Sequence, residues 1–444
     1  MPEIPLKTSL TPEEMFHSFY QECENAFLLE SAEGPEKLER YSFIGFNPKK
    51  KVTHKGSYVE TNGKRKKTLN PFDALKKQID IGKMGLDAEG FIGGAVGYFA
   101  FDFASRFEEI YMALPDDPGF PDFEFGIYED ALAYDHRKKR TKYVYTKENR
   151  IEEIRKIMEK PLKQHAPLNI KSIKCNTSRD EFCKKVKAAK EHIVSGDIFQ
   201  VVLSKRYDIE FEGSLMRFYS NLKKINPSPY MYCIKFGERQ IVGASPENLI
   251  RIENGKITSF ATLAGTRPRG TNAEEDKKLE KELLNDEKEC AEHRMLVDLT
   301  RNDVGKVSTP GTVKVPELMA IHKFSHVQHI ASQVTGDLAE GKSCFDAFKA
   351  IFPAGTVSGA PKIRAIEIIN RLERERRGPY AGAVGYFSKN GNADFAIGIR
   401  TLFANGKTAY IQTGAGIVYD SDPEKEFEET EKKAMALLLA IGDE

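Results

Sequence analysis

Apolar positions along the chain fall into two rhythms, unbroken or alternating runs that read as strands and stripes at intervals of three and four that read as helices. Residues 26–31 and 40–45 are short strands by this test. The stretch 90–100 is glycine-dense yet apolar, as expected of a buried strand that another backbone approaches closely. The charged run 147–160 reads as a surface helix. Ser178 with Glu181 three residues on is a capping box, followed by the stripe Phe182, Val186, Ala189, Ile193 and the terminator Gly196. Residues 198–204 form a strand of the fully buried type in which Gln200 is the odd polar residue. A buried amide needs partners, so Gln200 is a structural bridge or faces a pocket.

Further along, Glu247 falls at a strand end or turn after Pro246, and 257–263 is a strand leading into the glycine loop 264–270. Arg267 and Arg269 in that loop suit an anionic substrate. A long helix is expected over 276–300, with Glu289 and Glu292 three apart. His322, His326 and His329 recur at helical spacing, but Lys323 stands where a zinc-protease motif needs Glu. Residues 352–364 form a loop entering a helix that continues through Ile366, Ile369 and Leu372. Its glycines and Lys362 do not have the spacing of a phosphate loop. Residues 380–386 and 394–402 read as strands, and Arg400 within an apolar strand needs a carboxylate or phosphate partner.

The stretch 412–433 reads as an apolar strand, a Gly-x-Gly turn and an acidic helix, with Asp422 as cap and Pro423 at the first position. Glu426, Glu429 and Lys433 then share one helix face. Two carboxylates one turn apart can hold a hard cation, or can simply be solvated acids at the positive end of a helix. The Glu289–Glu292 pair supplies the second half of such a cage.

Two lobes are expected, 1–165 and 175–444, with the aperiodic stretch 165–177 linking them. A chain of 444 residues, 40% apolar and 30% charged, can bury more than one core. Its net charge of +1 argues against nucleic-acid binding, and no apolar run reaches the ~18 residues of a membrane span. The six cysteines are scattered without a C-x-x-C pair, which fits a reduced, cytoplasmic protein.

Several motifs together resemble the chorismate-utilising enzymes, and within them the anthranilate synthase large-subunit branch. They are 197–204, Gly243-Ala-Ser-Pro-Glu247, 264–270 and Glu292-His-Arg-Met-Leu-Val-Asp-Leu-Thr-Arg-Asn-Asp303. Pro353–Lys362, Ile397-Gly-Ile-Arg-Thr401, Gly414-Ala-Gly416 and Glu426–Thr430 continue the series, and Leu28-Leu-Glu-Ser31 extends it to the N-terminal lobe.

The resemblance implies an α+β fold, two-lobed, with large twisted antiparallel sheets and flanking helices. It implies a Mg2+ held by Glu292 and Glu429, with Glu289 and Glu426 direct or through water. Tyr380, Arg400, Gly414, Ala415, Gly416 and Lys433 would bind the pyruvyl carboxylate or its surroundings, and Gly265, Thr266 and Thr356 would line the pocket. Glu247 would be the general acid for the ring hydroxyl, and His329 would assist pyruvate elimination. Water-adding relatives carry a lysine base where Gln200 stands, which points to amination. Aminodeoxychorismate synthases typically carry a lysine where Ala264 stands, so its absence points to the anthranilate synthase branch, with that folate-pathway component I as the alternative. The implied reaction is a lyase reaction: chorismate plus ammonia gives anthranilate and pyruvate, the first committed step of tryptophan biosynthesis. A glutamine amidotransferase, component II, would supply the ammonia in a hetero-oligomer. Glu30, Ser31, Asn226, Pro227, Ser228, Pro229, Tyr230 and Met231 match a feedback pocket for L-tryptophan; on the residues alone, 227–231 reads as a turn into a strand.

Overall fold

Strand-forming residues outnumber the helical stripes, and in the computed structural model they assemble two large sheets in which every pairing is antiparallel. The structure describes residues 2–31, 40–81, 89–112, 114–116, 119–323 and 327–442, and only the backbone of 261–266 and 327. The first sheet runs Glu3–Leu6, Arg140–Tyr145, Asp130–Asp135, Tyr41–Phe46, Asn25–Glu30, Tyr230–Phe236, Arg239–Ser245, Thr401–Asn405, Thr408–Ile417, Gln200–Glu212, Asn169–Cys175. A short twelfth strand, Gly359–Ala360, pairs with the start of Gln200–Glu212. The second sheet runs from Lys314–Lys323 and Val327–Asp337 through Lys256–Pro268, Asn248–Glu253, Ala393–Ile397 and Ala383–Ser388. It ends with Gly94–Phe99, Phe123–Tyr128, Lys50–Lys55, Tyr58–Thr61 and Lys64–Lys67.

Side-chain alternation sends neighbouring residues of one strand into different cores. Phe27 faces the core between the sheets, whereas Leu28 joins Met15, Phe19 and Leu437 beneath the helices Pro12–Glu22 and Pro423–Ile441. On the second sheet, Phe99 and Phe395 meet Phe348 of helix Cys344–Ile351, with ring centroids at 4.7 and 4.8 Å. On its opposite face Tyr386 meets Phe43 of the first sheet at 5.9 Å. The result is the expected α+β arrangement of two antiparallel sheets with helices outside.

Both sheets draw strands from either side of residues 165–177. Asn25–Glu30 pairs with Tyr230–Phe236, and Gly94–Phe99 with Ala383–Ser388. The stretch expected as a bare linker carries the edge strand Asn169–Cys175, whose alternation is too polar to signal burial. Several local expectations are also corrected. The helix expected over 276–300 is two, Ala273–Leu284 and Glu287–Gly305, because Asp286 between them caps the second by accepting from Glu289 N at 3.2 Å. The glycine loop 264–270 is largely strand Lys256–Pro268, held by pairing to Val327–Asp337. His322 and His329 are not on a helix; they face each other across paired strands, and His326 lies outside the described residues.

Phe348 fills the centre of the ring cluster on the second sheet. Phe348→Ala is expected to cost about 3–5 kcal/mol, read as a lowered urea midpoint; an unchanged midpoint would show that the cluster repacks without it.

Candidate active site

The pairing of Gln200–Glu212 with Thr408–Ile417 places Val202 opposite Gly416 and Ser204 opposite Gly414. The glycines expected to form a turn therefore lie within a strand. Their role is close approach, since neither has positive φ. A Cβ at Gly416 would lie 2.6 Å from Gln200 Nε2 and 3.5 Å from Glu292 Oε1. A Cβ at Gly414 would lie 2.9 Å from the Tyr380 hydroxyl. Tyr380 is buried in the turn that precedes strand Ala383–Ser388, not in the strand itself.

Gln200 bridges its strand to helix Glu287–Gly305. Its Nε2 donates to Glu292 Oε1 at 2.6 Å, while its Oε1 is buried without a hydrogen-bond partner. Glu292 stands on helix Glu287–Gly305. The next residue, His293, is fully buried, and its Nε2 lies 2.6 Å from Ser332 Oγ. Burial lowers His293 to about 4, so it is a neutral anchor between this helix and strand Val327–Asp337. His329, also buried, lies on that strand opposite Thr266, three residues before Ser332. No pattern marked His293 as an anchor, because its partner is thirty-nine residues away.

Helix Pro423–Ile441 begins as expected, with Asp422 Oδ1 accepting from Glu424 N and Lys425 N at 3.1 and 3.0 Å. It is docked by Thr413 Oγ1 donating to Thr430 O at 3.0 Å, and by Glu431 gripping Lys205 and Tyr207 of strand Gln200–Glu212. That seating presents Lys433, whose Nζ donates to Gly414 O at 2.9 Å and pairs with Glu429 at 2.6 Å.

Glu289, Glu292 and Glu426 all titrate above the usual carboxylate range. Burial is the first cause for each, and a neighbouring carboxylate adds to it: Asp286 and Glu429 at Glu289, Glu289 and Glu429 at Glu292, Glu429 at Glu426. Among the described residues no three acidic, imidazole or thiol groups converge as a preformed cage. Glu429 is drawn to Lys433, and Glu292 to Gln200. The donor set nevertheless fits a hard divalent cation: it is all oxygen, it comes from two helices, and its repulsion is relieved by positive charge.

Glu247 lies between strands Arg239–Ser245 and Asn248–Glu253, and is 9% exposed. Burial lifts its carboxyl to about 7 against the pull of Thr356, Lys433 and Arg400. The Thr356 hydroxyl beside it is buried without a complete hydrogen bond. Arg400 does not sit in a strand as expected; it occupies the bend before Thr401–Asn405 at φ +50°, an unusual backbone for a side chain of this size. Burial lowers its pKa while Glu247 opposes that, and its Nη1 donates to Asn226 Oδ1 at 3.4 Å. A guanidinium so weakly compensated would be compensated by a carboxylate. Arg267 and Arg269, by contrast, are engaged by Asp286 at 3.0 Å and Asp276 at 2.7 Å. Lys362 is held by Asp303 at 2.5 Å. None of these three cations is offered to a ligand. Only the backbone of Gly265 and Thr266 is described.

A separate cavity of about 340 Å³ is lined by Glu30, Ser31, Tyr230, Met231, Phe43 and Tyr386, among others. Asn226, Pro227, Ser228 and Pro229 lie outside its wall, and Asn226 is turned instead to Arg400. Glu30 is buried, with Oε2 accepting from the Tyr219 hydroxyl at 2.6 Å and Lys223 at 2.9 Å.

The fold thus brings a buried acid, a buried guanidinium and a close glycine backbone together as an enzyme site. The chain belongs to the chorismate binding enzyme family, whose profile matches residues 24–439. It is 48% identical over 439 residues to anthranilate synthase component 1 of Methanothermobacter thermautotrophicus, covering 97% of this chain and 92% of that one. Against the protein of the same name from Saccharolobus solfataricus it is 43% identical, covering 99% of each. The crystal structure of anthranilate synthase component I from Streptococcus pneumoniae superimposes with a TM-score of 0.82 at 38% identity, over 91% of this chain and 93% of that one. A menaquinone-specific isochorismate synthase of Escherichia coli shares the fold, with a TM-score of 0.76 at 19% identity over 99% and 94%.

The raised Glu247 carboxyl has a stability consequence with a definite sign. Between its ordinary 4.5 and about 7 the folded chain holds a proton that the unfolded chain has released. Stability from this group is therefore full below pH 4.5 and falls as pH rises to about 7, by about 3 kcal/mol in all. Glu247→Gln removes the group that must ionise. Relative to the parent, the variant should gain unfolding free energy at pH 8 and nothing at pH 4.5. Parallel pH curves for the two proteins would mean that Glu247 is not desolvated.

Proposed function

We propose that this chain is the chorismate-aminating component of an anthranilate synthase. It converts chorismate and ammonia into 2-amino-2-deoxyisochorismate and water, and then that intermediate into anthranilate and pyruvate. The observation carrying the reading is the neutral, buried Gln200 amide beside Glu292 at 2.6 Å, on a chain nearly half identical to relatives named for this activity. An amide cannot deprotonate water at neutral pH, whereas ammonia arrives already nucleophilic. The unpartnered Gln200 Oε1 is an acceptor suited to an N–H of that nucleophile.

The remaining residues divide the work by charge. Arg400 and Lys433, with the amides along Gly414–Gly416, neutralise the pyruvyl carboxylate, and Tyr380 closes that wall. Glu247 is raised into the range where a carboxyl still holds its proton near neutrality, so it can donate to the departing ring hydroxyl. Thr356 orients that carboxyl. His329, on the strand tied to the Glu292 helix, serves the later elimination of pyruvate. Glu292 and Glu429, helped by Glu289 and Glu426, would hold Mg2+. When bound, that ion supplies positive charge for the ring carboxylate of chorismate.

The name component 1 borne by the relatives supports a partner subunit that hydrolyses glutamine and delivers ammonia. The cavity at Glu30, Ser31, Tyr230 and Met231 is of ligand size, with aromatic walls and an acid, which suits L-tryptophan as a feedback inhibitor. Among the described residues no helix is long and apolar enough to cross a membrane. With the scattered, unpaired cysteines this supports a cytoplasmic setting.

With chorismate, Mg2+ and ammonium, the purified protein should generate anthranilate fluorescence. A product that keeps its enol ether would assign it to aminodeoxychorismate synthesis instead. At a fixed concentration of free NH3, kcat/KM should fall roughly tenfold per pH unit above about 7 as Glu247 ionises. A profile flat to pH 9 would remove Glu247 as the acid. Glu429→Gln should abolish Mg2+-dependent turnover and leave the melting temperature within a few degrees of the parent.

A further inference from the structure

Behind the wall formed by Gln200, Thr356, Tyr380 and Gly414 lies a guanidinium that none of the steps above uses. Arg377 is 1% exposed and follows helix Lys362–Leu372. Its Nε and Nη2 donate to Glu373 Oε2 and Oε1 at 2.9 and 2.7 Å. Nη2 also donates to Val202 O at 2.8 Å, and Nη1 to Val357 O at 2.7 Å. The Glu373 carboxylate accepts further from Ser204 N at 2.9 Å and Ser204 Oγ at 2.7 Å. Ser204 Oγ in turn accepts from Gln412 Nε2 at 2.8 Å. The guanidinium carbon lies 4.5 Å from the Phe101 ring centroid and 5.8 Å from that of Tyr380.

Several of these partners sit within three residues of a group of the site. Val202 is two from Gln200, Val357 is next to Thr356, Gln412 is two from Gly414, and Tyr380 is three from Arg377 itself. Stability alone does not call for this arrangement, because a buried ion pair can often be exchanged for apolar side chains at no loss. What apolar side chains cannot do is fix two carbonyls from different elements and a carboxylate in one plane, which the rigid five-donor fork of arginine does. We propose that Arg377, locked by Glu373, is a positioning residue for the amination reaction: it sets the mutual placement of Gln200, Thr356, Tyr380 and the Gly414 backbone. The inference rests on the reaction assigned above.

Two variants test it. R377K keeps the charge beside Glu373 but cannot reach both carbonyls, and R377M/E373L replaces the buried pair with apolar bulk. With ammonium as nitrogen source, kcat should fall roughly 10–100-fold in each, while KM for chorismate changes by less than about threefold because Arg400 and Lys433 remain. The double variant leaves Val202 O, Val357 O and Ser204 N without these partners, so its melting temperature should fall by several degrees, and kcat is compared well below that temperature. Parental kcat in either folded variant overturns the proposal. So does a loss of kcat that tracks the unfolded fraction and disappears on cooling, and so does failure of both variants to fold, which would assign Arg377 to stability alone. The parent protein, run alongside, separates the two readings. If it consumes chorismate without forming anthranilate, the assigned reaction is wrong, and the kcat comparison is read on chorismate consumption.

Discussion

The register of strand Gln200–Glu212 against Thr408–Ile417 is the constraint on which the site depends, because it joins segments some two hundred residues apart with their functional groups aligned. Gln200 comes to the rim where Gly416 leaves room for its amide, and Ser204 comes opposite Gly414. The same strand carries Lys205 and Tyr207, which seat the C-terminal helix through Glu431, so the helix inherits its position from the sheet. A slip of one residue would turn Gln200 and Ser204 to the opposite face and leave the glycines facing side chains that need no space. The strand Gly359–Ala360, paired with Gln200 and Val201, closes the other side of the same rim and fixes the loop that carries Thr356.

Around this frame the protein keeps charge buried in a deliberately incomplete state. Glu289 and Glu292 are half-buried and Glu426 buried, each raised further by the charge of Glu429, and among the described residues Arg400 meets an amide oxygen and feels the carboxyl of Glu247. A carboxylate or guanidinium withdrawn from water without a partner is costly, and a group of opposite sign relieves that cost. Among the described residues, Arg267, Arg269, Lys362 and Lys433 are each held by a carboxylate, whereas the Arg400 guanidinium meets an amide oxygen at 3.4 Å.

The aromatic cavity and the catalytic cluster are linked through one short segment. Met231 pairs with Glu30 in the first sheet and both line the cavity, while Asn226, five residues earlier, holds the guanidinium of Arg400. Helix Leu215–Ile225 contributes Tyr219 and Lys223 to Glu30 and ends where Asn226 begins. A ligand that competed for Glu30 would therefore act on the helix from which the Arg400 contact is suspended.

Local chemistry was readable along the chain: the Asp422–Pro423 helix start, the Ser178 cap, the burial of 90–100, and the two acidic pairs at 289/292 and 426/429. Those signals live within a few residues, where capping geometry and periodicity act. Motif resemblance added the family and the candidate residues, and the comparisons agree with that family. The sequence by itself did not determine that Gly414–Gly416 is strand, that 264–268 is strand, that Asn285–Asp286 breaks a helix, or that Arg400 takes a left-handed bend. Each depends on a partner elsewhere: Gln200–Glu212, Val327–Asp337, the Asp286 cap with its Arg267 pair, and Asn226. The same holds for Arg377 and His293, whose meaning is their long-range hydrogen bonds. Sequence fixes what a residue can offer, and tertiary structure decides which groups it meets, because the free energy of a buried polar group is set by its partners and not by its neighbours in the chain.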